Sequence, residues 1–157
     1  MSEHSTGATS GHQSVSSTGA PVASIVVPCY NAERYLRRTL ESALAQTMED
    51  FELICVDNNS TDKTPELLEE YAAADSRVRV LSEPEPGEGP ARDAGLKRAR
   101  GRWAYFLDSD DLMEPTLLEK SISLAEDSQA DIVVFQTNGL NDQTGEVVPI
   151  LGCMDIS

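Results

Sequence analysis

Three aspartates in four positions, Asp108, Asp110 and Asp111, follow the aromatic and apolar run of 105–107 in the segment YFLDSDD. Asp108 and Asp110 are two apart on an extended segment, so their carboxylates share a face and enter one crevice. Carboxylates that close repel, and one is driven toward protonation unless a cation intervenes. Hard divalent cations such as Mg2+ or Mn2+ take oxygen ligands, often one or two carboxylates plus substrate phosphates. The spacing therefore offers a metal–diphosphate site. The competing reading is a loop whose aspartates cap the next helix, and Asp111, just before LMEP, suits that role. A bare Asp-x-Asp arises by chance in an acidic chain; its place after a buried strand is what gives it weight.

Other residues could share that chemistry. VDNNSTD (56–62) holds Asp57, Asn58, Asn59, Ser60 and Asp62. Such short polar side chains build ordinary turns by bonding the local backbone, or they bind a base or a ribose. Tyr30 is either a rim residue or a flat plate on which a nucleobase stacks. Arg92 lies in GEGPARDAG, where glycines admit close backbone approach and a helix begins. An arginine there meets phosphate charge, or it pairs with Asp93 or a nearby glutamate. Singly, each bland reading wins. Together, four polar clusters favour a nucleotide diphosphate held by a metal.

The elements that must position these residues can be read from the pattern. SIVVPCY (24–30) and FELICVD (51–57) are continuously apolar runs, as in strands covered on both faces. RVRVL (77–81), RWAYFL (102–107) and ADIVVFQT (130–137) predict three more strands. A helix is expected over 32–46 with Asn31 as N-cap, and another over 64–75 with Thr64 as N-cap and Pro65 in its first turn. Further helices are expected over 90–99 and 114–128, and NDQTGEVVP (141–149) reads as a turn into a last short strand. Strands alternating with helices predict an α/β fold with a mostly parallel sheet. In such sheets ligands bind beyond the carboxyl ends of the strands, near a switch in strand order. PCYN, VDNNSTD and LDSDD all fall there.

Composition sets the outer bounds. The 157 residues suffice for one domain with a proper core. Twenty-seven acidic residues against 12 basic give a formal charge of −15, which argues against nucleic acid as a partner, since phosphate neutralisation needs clustered Lys and Arg. No apolar run approaches the roughly 20 residues that span a bilayer, and the N-terminus lacks a signal-peptide pattern. Cys29, Cys55 and Cys153 are an odd count with no C-x-x-C spacing, and a cytoplasmic location is the default expectation. Residues 1–21, mostly Ser, Thr and Gly, predict a disordered tail in which His4 and His12 are inert.

From Val22 the residues also resemble a known family. SIVVPCYNAERYLRRTLESALAQTMEDFELICVDNNSTDKT, followed by GPARDAGLKRARGRWAYFLDSDDLMEP, resembles the family 2 inverting glycosyltransferases of GT-A fold, in order and spacing over about residues 22–137. The resemblance implies a Rossmann-like GT-A domain over 22–157, with its C-terminal part missing, and a metal-dependent transfer of sugar from a nucleotide-diphosphate donor to an acceptor hydroxyl with inversion. It implies that Pro28 and Tyr30 flank the base, Asp57 and Asn58 contact it, and Arg92 lies near the diphosphate. Of Asp108, Ser109 and Asp110, it implies that Asp110 binds the metal, Mg2+ or Mn2+, and that Asp108 lies nearer the ribose.

Two positions depart from the family pattern. Asn58 stands where many members have a second Asp, which leaves UDP the first choice and dTDP or GDP open. Asp93 replaces an Asn beside Arg92, and is expected to pair with it. The general base, which must reach the acceptor hydroxyl, has no match after Val134; Asp142, Glu146 and Asp155 sit in a turn and a tail. The acceptor, whether glycan, lipid-linked or protein, is therefore unread. A noncatalytic nucleotide-sugar-binding fragment or partner domain is the alternative. Self-association through exposed apolar surface and peripheral attachment to a membrane are open. A nucleotidyltransferase fits worse, because PCYNAERY lacks a Gly-rich phosphate loop.

Overall fold

The computed structural model describes residues 19–149. Residues 1–18 of the expected tail, and also Cys153 and Asp155, lie outside the described residues. The chain divides after Leu118 into two units, each described by itself.

The first unit is built on four strands, β1 (Ala23–Cys29), β2 (Phe51–Asp57), β3 (Val78–Ser82) and β4 (Trp103–Phe106), in the order β3-β2-β1-β4. All three pairings are parallel. Every residue of β1 is buried, and so is all of β2 except Asp57, which is why both read as unbroken apolar runs. The α/β class expected from the sequence is met: a parallel sheet flanked by helices.

Register sets where the site falls. Cys29 lies opposite Asp57, so β1 and β2 end together. The chain adds β2 and β3 outward from β1, then places β4 on the other side, so strand order reverses between β1 and β4. Ligands bind at such a switch point. Here the sequence also opens the crevice. Leu107 N–H donates to Val26 O at 3.0 Å, past the last residue of β4. Two residues on, facing the same edge, Pro28 has no N–H to offer.

Helices α1 (Leu36–Leu44), α2 (Thr64–Ala74) and α3 (Glu88–Arg98) complete this unit. α3 packs Ala91 against Val26, Ile54 and Val56, and Gly95 brings it close, because a Cβ there would overlap Val26 Cγ1. Two expected caps differ. Asn31 does not cap α1, whose N-cap is Tyr35. Asn31 is left-handed (φ 47°), and its Oδ1 accepts the Thr61 N–H at 2.8 Å, tying the β1 loop to the β2 loop. Thr64 is already helical; Asp62 Oδ1 takes its N–H at 2.9 Å, while the Thr64 hydroxyl accepts from Ala32 N–H at 2.8 Å.

Helix α4 (Leu117–Ser128) crosses the boundary into the second unit. The strand expected over 130–137 is not formed. A β-branched run becomes a strand only where a neighbour takes its backbone groups. Among the described residues none pairs with it, and Ile132 and Val134 are 79% and 89% exposed. Within the described residues, the second unit carries an antiparallel hairpin of β5 (Asn138–Leu140) and β6 (Val147–Pro149). Asn141 Oδ1 accepts from the Gln143 and Thr144 N–H groups, and Gly145 supplies the positive φ of 71° that its turn needs. Among the described residues, no helix is long and apolar enough to cross a membrane.

Candidate functional site

A cavity of about 620 Å3 opens beyond the carboxyl ends of β1, β2 and β4, within the range of small-molecule sites. Pro28, Cys29 and Tyr30 line it from β1, Asn58 and Asn59 from β2, and Asp108, Ser109 and Asp110 from β4. Pro86, Gly87 and Glu88 at the start of α3, with Ala91, complete the wall. The structure thus brings together most of the residues singled out in the sequence. Asp57 and Arg92 are not among the lining residues, although Arg92 is bonded to two that are, Glu88 and Asp108.

Tyr30 is 63% exposed at the end of a fully buried strand. An aromatic ring held there by rigid backbone offers a face for a planar ligand. Cys29 beside it is buried and free, and burial pushes its thiol well above the usual range, so it acts as apolar wall and not as a nucleophile. Asp57 Oδ1 accepts the Ser60 N–H at 3.3 Å, the turn chemistry of its segment. Asn58 is only 5% exposed, and its amide is taken up by backbone: Nδ2 donates to Glu83 O and Glu85 O, and Oδ1 accepts from Gly87 N–H.

The acidic turn is held from two sides. Asp111 N–H donates to Asp108 O at 3.0 Å, closing the turn. From below, α1 and the residue just past its end present a polar stripe: Thr39 Oγ1 donates to Ser109 O, Ser42 Oγ accepts from Met113 N–H, and Gln46 Nε2, beyond the helix, donates to Glu114 O. From the side, Arg92 Nη2 lies 2.6 Å from Asp108 Oδ1 and 2.7 Å from Glu88 Oε1, with its Nε buried and unpaired. Asp93 does not pair with Arg92; adjacent helical side chains diverge, and Asp93 meets Lys97 one turn on at 2.6 Å. Asp111 does not cap α4 either. That helix begins six residues later, and Gln46 Oε1 accepts the Leu118 N–H.

Partial desolvation, and then the charges of Asp108 and Asp110, raise the Asp111 carboxyl above its usual value. With Glu88, Asp108 and Asp110 lining the cavity and Arg92 as the cation bound to two of them, the wall is net negative. Among the described residues no group of three or more side chains is arranged to hold a metal alone. The donor set fits a hard divalent ion that takes one or two carboxylates and completes its shell from a diphosphate.

Sequence reasoning missed Glu88 and the 86–87 backbone. Glu88 was visible as a polar residue beside Arg92, but only the fold shows that the β3–α3 loop closes the cavity.

A parallel sheet with its ligand crevice at the β1–β4 switch point and an Asp-x-Asp at the rim is the arrangement of GT-A glycosyltransferases. The sequence pattern of Glycosyl transferase family 2 matches residues 24–151, and the chain belongs to that family. EpsH of Bacillus subtilis (strain 168) is 38% identical over 128 residues, 82% of this chain and 37% of EpsH. Chondroitin synthase of Escherichia coli is 36% identical over 128 residues, 82% of this chain and 19% of that protein. Among solved structures, TarS 1–349 of S. aureus in complex with UDP superposes with a TM-score of 0.69 at 29% identity, over 76% of this chain and 36% of TarS 1–349. The chain therefore spans little more than a third of the length of EpsH.

Proposed function

We propose that this chain forms the donor-binding part of an inverting glycosyltransferase, taking a nucleotide-diphosphate sugar in the cavity at the β1–β4 switch point. The observation that carries this reading is the convergence of Tyr30, the Asn58–Asn59 turn and the Asp108–Asp110 pair on one cavity. Tyr30 stacks on the base, with Pro28 below it and the Asp57–Asn58 turn framing its edge. Asp108, oriented by Arg92, accepts from ribose hydroxyls. Asp110, exposed at the rim, is the principal metal ligand, with Asp108 beside it. Bound Mg2+ or Mn2+ would offset the charge of the leaving diphosphate as a Lewis acid. A wall already net negative repels a diphosphate otherwise, so donor binding should depend on metal. UDP is the first choice of nucleotide, as in the TarS complex.

A second reading is favoured by one observation. Among the described residues, the carboxylates that line the cavity are Glu88, Asp108 and Asp110. Glu88 is paired with Arg92, and the aspartates belong to the donor side. With no further carboxylate placed to deprotonate an acceptor, the chain reads as a nucleotide-sugar-binding module that binds donor without turning it over.

Calorimetric titration with UDP, with and without Mn2+, tests both readings, and each expects metal-dependent binding. Hydrolysis or transfer of a UDP-sugar belongs to the first alone. Absence of binding with metal present would defeat both.

A further inference from the structure

We propose that Asn58 and Asn59 act as a positioning clamp, fixing the five-residue β3–α3 loop EPEPG (83–87) as a wall of the cavity; this rests on the donor-site reading above. Asn58 Nδ2 donates to Glu83 O at 2.8 Å and Glu85 O at 2.7 Å, and its Oδ1 accepts the Gly87 N–H at 2.7 Å. Asn59 Nδ2 adds Pro84 O at 3.1 Å and a longer contact to Glu83 O at 3.3 Å. The two amides thus reach Glu83, Pro84, Glu85 and Gly87 through their backbones. Two of the loop residues are prolines with no N–H of their own, so this loop cannot satisfy itself by an internal ladder. At its end Gly87 takes a φ of 126°, and Pro86 and Gly87 then line the cavity.

The geometry defines the residue type. Both Nδ2 protons of Asn58 point at carbonyl oxygens, and only an amide supplies two donors and one acceptor from one short side chain. A carboxylate at position 58 would set an oxygen against Glu83 O and Glu85 O. The Asn that departs from the resembling family pattern is thus matched to this loop. With both donors engaged, Asn58 shapes the base-side wall and does not read the base with its amide protons.

The test compares Asn58→Asp and Asn59→Gly with the wild-type chain. Amide hydrogen exchange followed by NMR reads the loop at Gly87 without ligand, calorimetry reads UDP affinity with Mn2+, and thermal melting reads global stability. Asn58→Asp should speed Gly87 exchange and weaken UDP by roughly tenfold or more, the scale of buried hydrogen bonds replaced by a repulsion. Asn59→Gly, at an exposed position whose bonds are longer, removes the amide but adopts the left-handed φ of 63° that Asn59 takes, so it keeps the fold and should weaken UDP by about two- to fivefold. A Gly87 exchange rate unchanged in both variants overturns the clamp. Faster exchange with unaltered UDP affinity overturns its positioning role, as does a loss of melting temperature alone. If the wild-type chain itself binds no UDP, the donor-site reading fails, and the exchange data then show the clamp as a loop device without that purpose.

Discussion

Thr39 in α1 donates its hydroxyl to the carbonyl oxygen of Ser109, 70 residues away, at 2.9 Å, and so anchors the centre of the Asp-x-Asp turn to a helix. Thr39 is fully buried. Its hydroxyl is the first rung of a stripe that continues through Ser42 and Gln46, so α1 carries polar groups on a buried face because the acidic turn needs partners there. Replacing Thr39 by Val keeps the shape and removes the donor. The expected cost is about 1–3 kcal/mol for an unpaired carbonyl, measured by urea unfolding. The Mn2+-dependent part of UDP affinity should fall with it, and an unchanged metal dependence would remove the link between the stripe and Asp110.

Asp110 and Tyr30 are exposed at the cavity rim, so substitutions there test binding with little effect on folding. Asp110→Asn should abolish the gain in UDP affinity on adding Mn2+ while leaving the melting temperature within a degree or two. Tyr30→Ala should weaken UDP by roughly tenfold, the scale of one base–aromatic stack at about 1–3 kcal/mol. Titration calorimetry of both variants distinguishes the roles: one loses the metal effect, the other loses affinity with or without metal.

Gly95 is where α3 meets the sheet. A Cβ there would overlap Val26 Cγ1 and lie 3.2 Å from Val56 Cγ2. Both valines are fully buried in the two central strands, so neither can yield easily. Gly95→Ala, which favours an isolated helix, should here destabilise by about 1–3 kcal/mol through overpacking, read as a lower urea midpoint. Because α3 carries Glu88, Ala91 and Arg92, UDP affinity should fall as well.

Much of this arrangement is legible in the sequence. Continuous apolar runs gave β1 and β2, and their polar ends marked the rim, because a parallel sheet buries both faces and leaves only strand ends for chemistry. Long-range polar contacts were not legible. Asn31 looks like a helix cap because Asn suits one, yet its amide meets Thr61, and nothing local announces that pairing. Asn58 reads from the sequence as a polar group at a strand end, but the partners of its amide lie on a loop 25 residues downstream. The run 130–137 shows the converse limit: its propensity for strand is plain, but propensity does not supply a neighbour.

The opposite end of the sheet carries a pH-dependent lock. Glu52 is 2% exposed; its carboxylate accepts from Ser24 Oγ at 2.8 Å, from Arg79 at 2.7 Å, and from the Arg100 backbone and guanidinium at 2.7 and 2.8 Å. Burial pushes this carboxyl up, but the hydrogen bonds from Arg100, Ser24 and Arg79 outweigh it and bring it to about 2 from an ordinary 4.5. A carboxyl depressed in the folded state binds protons more readily once unfolded. Its stabilisation is therefore present in full above about pH 4.5 and is lost as pH falls from there toward 2. The contribution at neutral pH is of order 3 kcal/mol. Glu52→Gln keeps the shape but loses the charge, so it should be less stable than wild type at pH 7, with the difference shrinking as pH falls through 4 toward 2. Urea unfolding at a series of pH values measures it. No difference at pH 7 would show that Glu52 acts by shape alone, and a difference that stays constant down to pH 2.5 would show that its effect is not tied to the titration of this carboxyl.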